Sequence, residues 1–478
     1  MKIGIDFGTT NTSVALVDDA GQVRVLPIDA AANSPTSMRT MLYIERDGDI
    51  HIGADAIHTY YAQNVGRIPR LTKQWVGEIE IVITEGGTVV LDAFTDVDAD
   101  APGRLLHSLK SPLASDYAGT TIFGKYYALE DLIAEFLRRL KQRVAGLVHE
   151  PIESVVFGRP VNFVGAATEA DNHRAQARLA DAAQRAGFSN IRFELEPIAA
   201  GLSYGQKIQD GVKDSGLEIK DWGLDIAPAA SNPQSLIPNP QKNVNFLVFD
   251  FGGGTLDVAI IQMQPNGRQT VIATGGIGIA GDHFDQAIVR RALSAWFGQQ
   301  VRWGPQRLAL PSHMLGALGD WQDIQALATP PTLAFLAQAQ RDCSDPMRLF
   351  ALEDLIAKGY AYGLYAQVER AKVALSRERW TCIDYEAGEI SLWQPVTRPQ
   401  FEGFIAHERR LIRDMLLQTL ERAQLSPSAI DYVVRTGGSS SIPCFIELLS
   451  DLFGRERVVE QDLFTGVAAG LGIRAVES

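Results

Sequence analysis

"LVFDFGGGTLDVAII", residues 247–261, sets three consecutive glycines inside a run whose other residues read as a buried strand. Glycine weakens a strand interior, because it loses the most backbone freedom on folding and offers no side chain to pack. Three together imply a turn that something must approach closely. The chain opens on a second copy, "IGIDFGTTNTSVALV", residues 3–17, and the two align without a gap. Asp6 falls on Asp250, Phe7 on Phe251, Gly8 on Gly252 and Val14 on Val258. Each copy reads as a hairpin with an Asp at the end of its first arm and a turn rich in Gly, Thr or Asn. Turn chemistry alone does not demand that Asp twice. A repeat that pairs a glycine turn with a carboxylate suggests two half-sites facing one ligand.

Backbone N–H groups in such a turn, unhindered by Cβ atoms, form a concave anion site suited to phosphate oxygens. A carboxylate beside bound phosphate needs a cation between them, and Mg²⁺ keeps several waters while using few protein ligands. Two turns carrying Asp6 and Asp250 therefore point to a nucleoside triphosphate with Mg²⁺, held from both sides. Thr9, Thr10, Asn11 and Thr255 add hydroxyl and amide contacts. No GxxxxGK[ST] string occurs, so the turns are not a Walker-type loop.

The 478 residues suit two or more sub-domains, and 46% hydrophobic with 21% charged residues is a globular profile. A net charge of −13 argues against nucleic acid as partner. Met1 runs straight into the first strand without a basic and apolar leader, and no apolar stretch reaches membrane-span length. Cys343, Cys382 and Cys444 form neither a disulfide framework nor a CxxC metal site. The expectation is a cytoplasmic monomer without membrane or nucleic-acid contact.

Along the chain, a strand and turn pattern runs to about residue 56, followed by a variable acidic stretch through "TDVDADAPG". Helical spacing in "ALEDLIAEFLRRLKQRVAGLV", residues 128–148, leads into the strand of "ESVVFGRPVNF". "AQARLADAAQRAGF" reads as a helix closed by Gly187, and "NIRFELEPIAAGLSYG" as a strand and a helix. Residues 206–243, polar and carrying four prolines, read as an irregular insertion. A mostly helical region follows from His283 to about Leu375, interrupted by "LATPPT". "AIDYVVRTGGSSSIP" is a last strand breaking at Gly437 and Gly438, and "FTGVAAGLGIRA" a closing helix. Alternating strands and helices predict an α/β layer fold.

"IGIDFGTTNTSVA", "FDFGGGTLD", "ELEPIAAGLSYG", "VERAKVALS" and "RTGGSSSIP" stand in the order and approximate spacing of the ATPase domain of the seventy-kilodalton heat-shock (DnaK-like) family. More broadly they resemble the actin, hexokinase and heat-shock superfamily. The resemblance spans Ile3 to Ala475. It implies an actin-like ATPase fold of two lobes, each a five-stranded mixed sheet flanked by helices in a ribonuclease H-like duplication, with ATP or ADP and Mg²⁺ in the central cleft. Lobe I is expected over 1–205 with the closing helix 460–478, and lobe II over 244–459 with an enlarged helical tip near 286–360. The ending at Ser478 is similar to that of the YegD-type members, which are ATPase domains without the peptide-binding sandwich.

The same resemblance implies roles for individual residues. Asp6 and Asp250 would hold Mg²⁺ through its waters. Lys110, Glu196, Thr255 and Asp257 would position water for in-line attack on the γ-phosphate. Gly8, Thr9, Thr10, Asn11, Gly252, Gly253, Gly254, Gly281, Gly437, Gly438 and Ser439 would line the nucleotide, and Glu369, Lys372 and Ser376 would contact ribose and base from one helix face. Val373 and Ser441 stand where some members carry arginines that sandwich adenine. The function implied is ATP hydrolysis that reports nucleotide state to a protein partner or client by lobe closure. A nucleotide sensor with little turnover is the alternative. A small-molecule kinase or a filament former stands further off, since no general-base Asp in a sugar or acid pocket is identified.

Overall fold

The computed structural model describes residues 1–18, 22–83, 87–152, 154–209, 243–265, 268–461 and 465–476, with backbone alone at 75–83, 87–95 and 206–209. Two mixed sheets repeat one layout. In the first, β1 (Lys2–Phe7), β2 (Asn11–Val17) and β3 (Val23–Val25) are antiparallel, and β4 (Ser154–Arg159) and β5 (Ile191–Leu195) continue parallel on the far side of β1, in the order β5-β4-β1-β2-β3. In the second, β6 (Val244–Phe251), β7 (Leu256–Met263) and β8 (Gln269–Ile277) are antiparallel, and β9 (Tyr432–Thr436) and β10 (Val458–Glu460) extend β6, in the order β8-β7-β6-β9-β10. A two-residue strand, Met38–Arg39, also pairs with the start of β2.

The helices repeat as well. α1 (Leu129–Val148) leads into β4, α2 (Glu169–Arg185) joins β4 to β5, and α3 (Glu196–Gln209) follows β5. In the second lobe α4 (Gly281–Ile288) and α5 (Ala361–Arg377) precede α6 (Ala406–Arg422), which leads into β9. Then α7 (Pro443–Phe453) joins β9 to β10, and α8 (Gly466–Val476) follows. This is the expected α/β duplication. Parallel neighbours need such crossovers, because a hairpin cannot join them.

Local chemistry fixes the elements. α1 buries Leu132, Phe136, Leu140 and Val144 at helical spacing. α2 starts at Thr168, whose side chain accepts from Asp171 N, and ends on Gly187 at φ +85°. There Phe188 N donates to Ala183 O at 3.0 Å and Gly187 N to Gln184 O at 2.9 Å, a Schellman closure. Proline in "LATPPT" opens the helix Pro330–Arg341 instead of breaking one, with Thr329 as its cap.

α3 and α8 cross where glycines permit it. A Cβ at Gly470 would lie 1.7 Å from Ala199 O, and one at Gly4 would lie 2.3 Å from Gly472 N. The crossing seats α8 against α3 and β1. One apolar cluster there joins Val156, Ala199 and Leu471 to Phe246, Val248 and Val434 of the second sheet.

Several elements differ from the sequence reading. The strand pattern ends at Ile52, and Ala54–Asn64 is a helix. Its cap is distant: Asp29 Oδ2 accepts from Ala54 N at 2.9 Å, so no neighbouring residue signals the start. The acidic stretch belongs to a long hairpin, Leu71–Ile83 paired antiparallel with Gly87–Asp98. α3 continues to Gln209, so residues 206–209 are helical, and the remainder of the expected insertion, 210–242, lies outside the described residues. β9 is not the last strand, because the three residues of β10 are too few to show a period. Among the described residues no helix is long and apolar enough to cross a membrane.

Candidate functional site

The two glycine turns have the same geometry. Gly8 N donates to Asn11 O at 3.0 Å, and Gly252 N donates to Thr255 O at 3.1 Å. Asp6 faces Ser13 across the first hairpin, and Asp250 faces Asp257 across the second. Gly8 has no alternative in this turn, since a Cβ there would lie 2.3 Å from Asn11 O. The turns meet: a Cβ at Gly253 would lie 1.9 Å from Thr10 Oγ1, and one at Gly254 would lie 2.5 Å from Thr9 Oγ1. Only backbone of this slimness lets the two copies touch.

Neighbouring segments hold each turn in place. Thr40 supports the first, its N–H donating to Thr10 O and its hydroxyl to Gly8 O, both at 2.9 Å. The second is held by Asp282 N on Gly253 O at 2.9 Å, Gly281 N on Gly252 O at 3.3 Å and Ser439 Oγ on Gly252 O at 2.7 Å. Lys372 Nζ reaches Gly281 O at 3.1 Å and Asp285 Oδ2 at 2.6 Å. Gly437, at φ +78°, lets the chain after β9 pass against Phe251, where a Cβ would meet Phe251 O at 2.4 Å. Gly438 then opens the short turn Gly438–Ser441.

Behind the turns lies a buried charged cluster. Lys110 Nζ donates to Glu196 Oε1 at 2.5 Å, and both side chains are at least nine-tenths buried. Glu196 is the first residue of α3, and Gly158 of β4 leaves room for it, a Cβ there lying 3.0 Å from Glu196 Cγ. Asp257 Oδ1 accepts from Val161 N of the first lobe at 2.6 Å and is also bonded to Thr255. Burial, then the charge of Glu196, pushes Asp6 up to about 7 and Asp257 up to about 7. Asp250 is driven well above the usual carboxylate range by burial and by Glu196, Asp6 and Asp257.

Four carboxylates thus converge with Lys110 as the cation that offsets them. A divalent cation brought in with phosphate fits this surplus of negative charge. Among the described residues no three His, Cys, Asp or Glu side chains form a direct ligand set. Asp6 and Asp250, each two residues before its glycine turn, are the carboxylates that could face such a cation.

Between the lobes opens a cleft of about 1160 Å³. Thr9, Thr10, Asn11 and Gly254 line it at the turns, and Glu369 and Val373 line it from α5. Arg39, beside β2, forms an ion pair with Glu369 across the lobes. Burial pushes the Glu369 carboxyl up, but the charges of Arg39 and Lys372 hold it below its ordinary value. Val373 is 54% exposed, and Arg370 and Arg377 flank it on the cleft side of α5. Ser376 turns its hydroxyl to Lys372 O at 3.4 Å, within its own helix.

The sequence reading missed Arg39, Val161 and Asp282. Val161 acts through its N–H, which no residue type announces. Arg39 acts through a pairing of distant segments. Asp282 adjoins the expected Gly281; it lies within 3.5 Å of Thr10 Oγ1, and burial pushes its carboxyl up to about 6.

A family model described as Hsp70 protein matches residues 93–301 and 358–476. The chain belongs to the Hsp70 family. The actin-like ATPase fold of that family is the duplicated architecture seen here. The chain is 25% identical over 484 residues to a chaperone protein dnaK of Cyanidioschyzon merolae, covering 99% of this chain and 61% of the relative. It is 22% identical to a chaperone protein DnaK of Thermosipho melanesiensis and 23% identical to a dnaK of Emiliania huxleyi, covering 99% of itself and 58% and 59% of them. It therefore spans about three fifths of the length of these curated relatives. The Hsp70 match skips residues 302–357, within the helical tip.

Proposed function

We propose that this Hsp70-family chain binds ATP with Mg²⁺ between its two glycine turns and hydrolyses it. The observation that carries the reading is the buried cluster of Asp6, Glu196, Asp250 and Asp257 around Lys110, directly behind two turns whose N–H groups suit phosphate. Mg²⁺, when bound, would neutralise phosphate oxygens. Lys110, fixed by Glu196, presents ammonium hydrogens toward developing negative charge. Asp257, held by Val161 and Thr255, stands on the second-lobe side as an acceptor for an attacking water. Gly252, Gly281, Lys372 and Ser439 form one hydrogen-bonded frame for the phosphate turn. Glu369 and Val373, with Arg39 opposite, form the ribose and base end of the cleft.

The lobes in this reading are those expected, 1–205 with the closing helix and 244–459, extended to Gln209 where α3 ends and to Glu460 where β10 ends. Lobe closure is its output, transmitted to a protein partner or client as in a chaperone-like module. Three free thiols fit a reducing cytoplasm. Phosphate release from Mg-ATP under single-turnover conditions, beside Lys110→Ala, tests the proposal. Release that collapses in the variant supports hydrolysis. Tight binding without release makes the chain a nucleotide sensor, and no binding overturns the reading.

A further inference from the structure

The segment that the Hsp70 match skips, 302–357, does not stay within its own lobe. Its helix Trp321–Ala326, capped by Asp320, reaches over to the first lobe. Trp321 packs its ring 4.9 Å from His107 and 6.3 Å from Tyr60, and is only 5% exposed. Gln325 Nε2 donates to Tyr60 Oη at 2.7 Å, and Gln322 Nε2 donates to Leu105 O at 3.4 Å. Tyr60, Leu105 and His107 belong to the helix Ala54–Asn64 and the strand Gly103–His107 of the first lobe. On its other side the segment is tied to α5: Trp321 lies 5.3 Å from the Tyr362 ring, and Tyr365 donates to Leu318 O.

One apolar core results, in which Tyr43, Tyr60 and Leu105 are continuous with Trp321, Ile324 and Leu352. Gly319, Asp320, Trp321 and Gln322 at the same time form part of the cleft wall. A lobe that swings away from its neighbour has to extract a buried tryptophan and break the hydrogen bonds of Gln325 with Tyr60 and Gln322 with Leu105, together with those of Tyr60 Oη to Gly359 O and Gly66 N to Lys358 O. Motion about the α3–α8 crossing is therefore opposed at the far end of the cleft.

We infer that residues 302–357 are a latch between the lobes, and that docking of Trp321 and Gln325 on Tyr60 and His107 restrains cleft opening and thereby nucleotide release. The release half rests on the ATP reading above, and the latch itself does not. Spin labels on Tyr126→Cys in the first lobe and Trp393→Cys in the second, with Cys343 and Cys382 replaced by Ser, report the interlobe distance in the full chain without any nucleotide. Trp321→Ala with Gln325→Ala should lengthen and broaden that distance, and should speed release of a fluorescent ADP by about tenfold or more. Tyr60→Phe, which removes the hydrogen bonds of Tyr60 Oη with Gln325 and with Gly359 O and keeps the ring, should shift both readouts in the same direction by less, and serves if the double variant does not fold. An unchanged distance in the folded variants overturns the latch. A longer distance with unchanged release overturns its control of exchange. A longer distance in a protein that binds no nucleotide upholds the latch and rejects the ATP reading.

Discussion

The two hairpins share a register and a turn hydrogen bond, yet they do different work. Opposite Asp6 stands Ser13, and opposite Asp250 stands Asp257. The second copy thus carries two carboxylates to the first copy's one, and burial with the neighbouring charges of Glu196, Asp6 and Asp257 drives its Asp250 well above the usual carboxylate range. The first lobe answers with Lys110, with the N–H of Val161 and with Glu196 at the head of α3. Duplication supplied two glycine turns; divergence placed the extra carboxylate, Asp257, on one side and the cation, Lys110, on the other. Neither half is complete without its partner.

That asymmetry predicts a ranking of effects. Lys110→Ala removes the first lobe's cation and leaves Glu196 buried and unpaired, so single-turnover hydrolysis should fall by about 10²- to 10³-fold. Asp257→Asn should cost comparable turnover with a smaller loss of nucleotide affinity, whereas Asp250→Asn should cost mainly Mg²⁺-dependent affinity. Equal losses of affinity in the two variants would erase the distinction between them. Where the lobes meet, Gly470→Ala drives a Cβ into Ala199 O and should destabilise the protein by about 1–3 kcal/mol, read as a lower denaturation midpoint. A Gly403→Ala control, at a glycine with open space around it, should not.

The titration of the cluster gives a third test. Asp6 and Asp257 titrate at about 7 in the folded chain, against an ordinary value of 3.8. The folded protein therefore keeps protons that the unfolded chain releases. Their contribution to stability is greatest below about pH 4 and is lost as pH rises through about 7. Nucleotide-free protein should thus gain stability from these groups when pH is lowered from 8 toward 5.5 in thermal melts. Asp6→Asn should flatten the trend, and a steeper one would contradict the assignment. The smallest effect belongs to the base end. Val373→Arg places a guanidinium on the cleft side of α5 and should tighten ATP binding a few-fold, consistent with about 0.5–1 kcal/mol for an exposed cation–π contact.

The legible parts of this molecule were local strings. The hairpins, α1, α2 with its Gly187 closure and the strand before Gly437 announce themselves within a dozen residues each. The Lys110–Glu196 pair spans 86 positions and rests on family resemblance, not on spacing. Arg39 became part of the cleft because its strand pairs with Asn11, and Val161 because β4 stops where Asp257 needs a donor. The helix Ala54–Asn64 went unseen because its capping carboxylate is Asp29, and β10 because three residues carry no period. Side chains met across the fold are invisible to a reading that moves along the chain.

The central claim is that two diverged turns close together on a metal-bound triphosphate. Equilibrium binding of ATP with and without Mg²⁺, to wild type, Asp6→Asn and Asp250→Asn, tests it most directly. The account predicts that Mg²⁺ strengthens ATP binding to the wild type by about tenfold or more. Each single variant should lose most of that gain while still folding. ATP affinity that is indifferent to Mg²⁺ in the wild type, or a gain that survives either substitution, would contradict it.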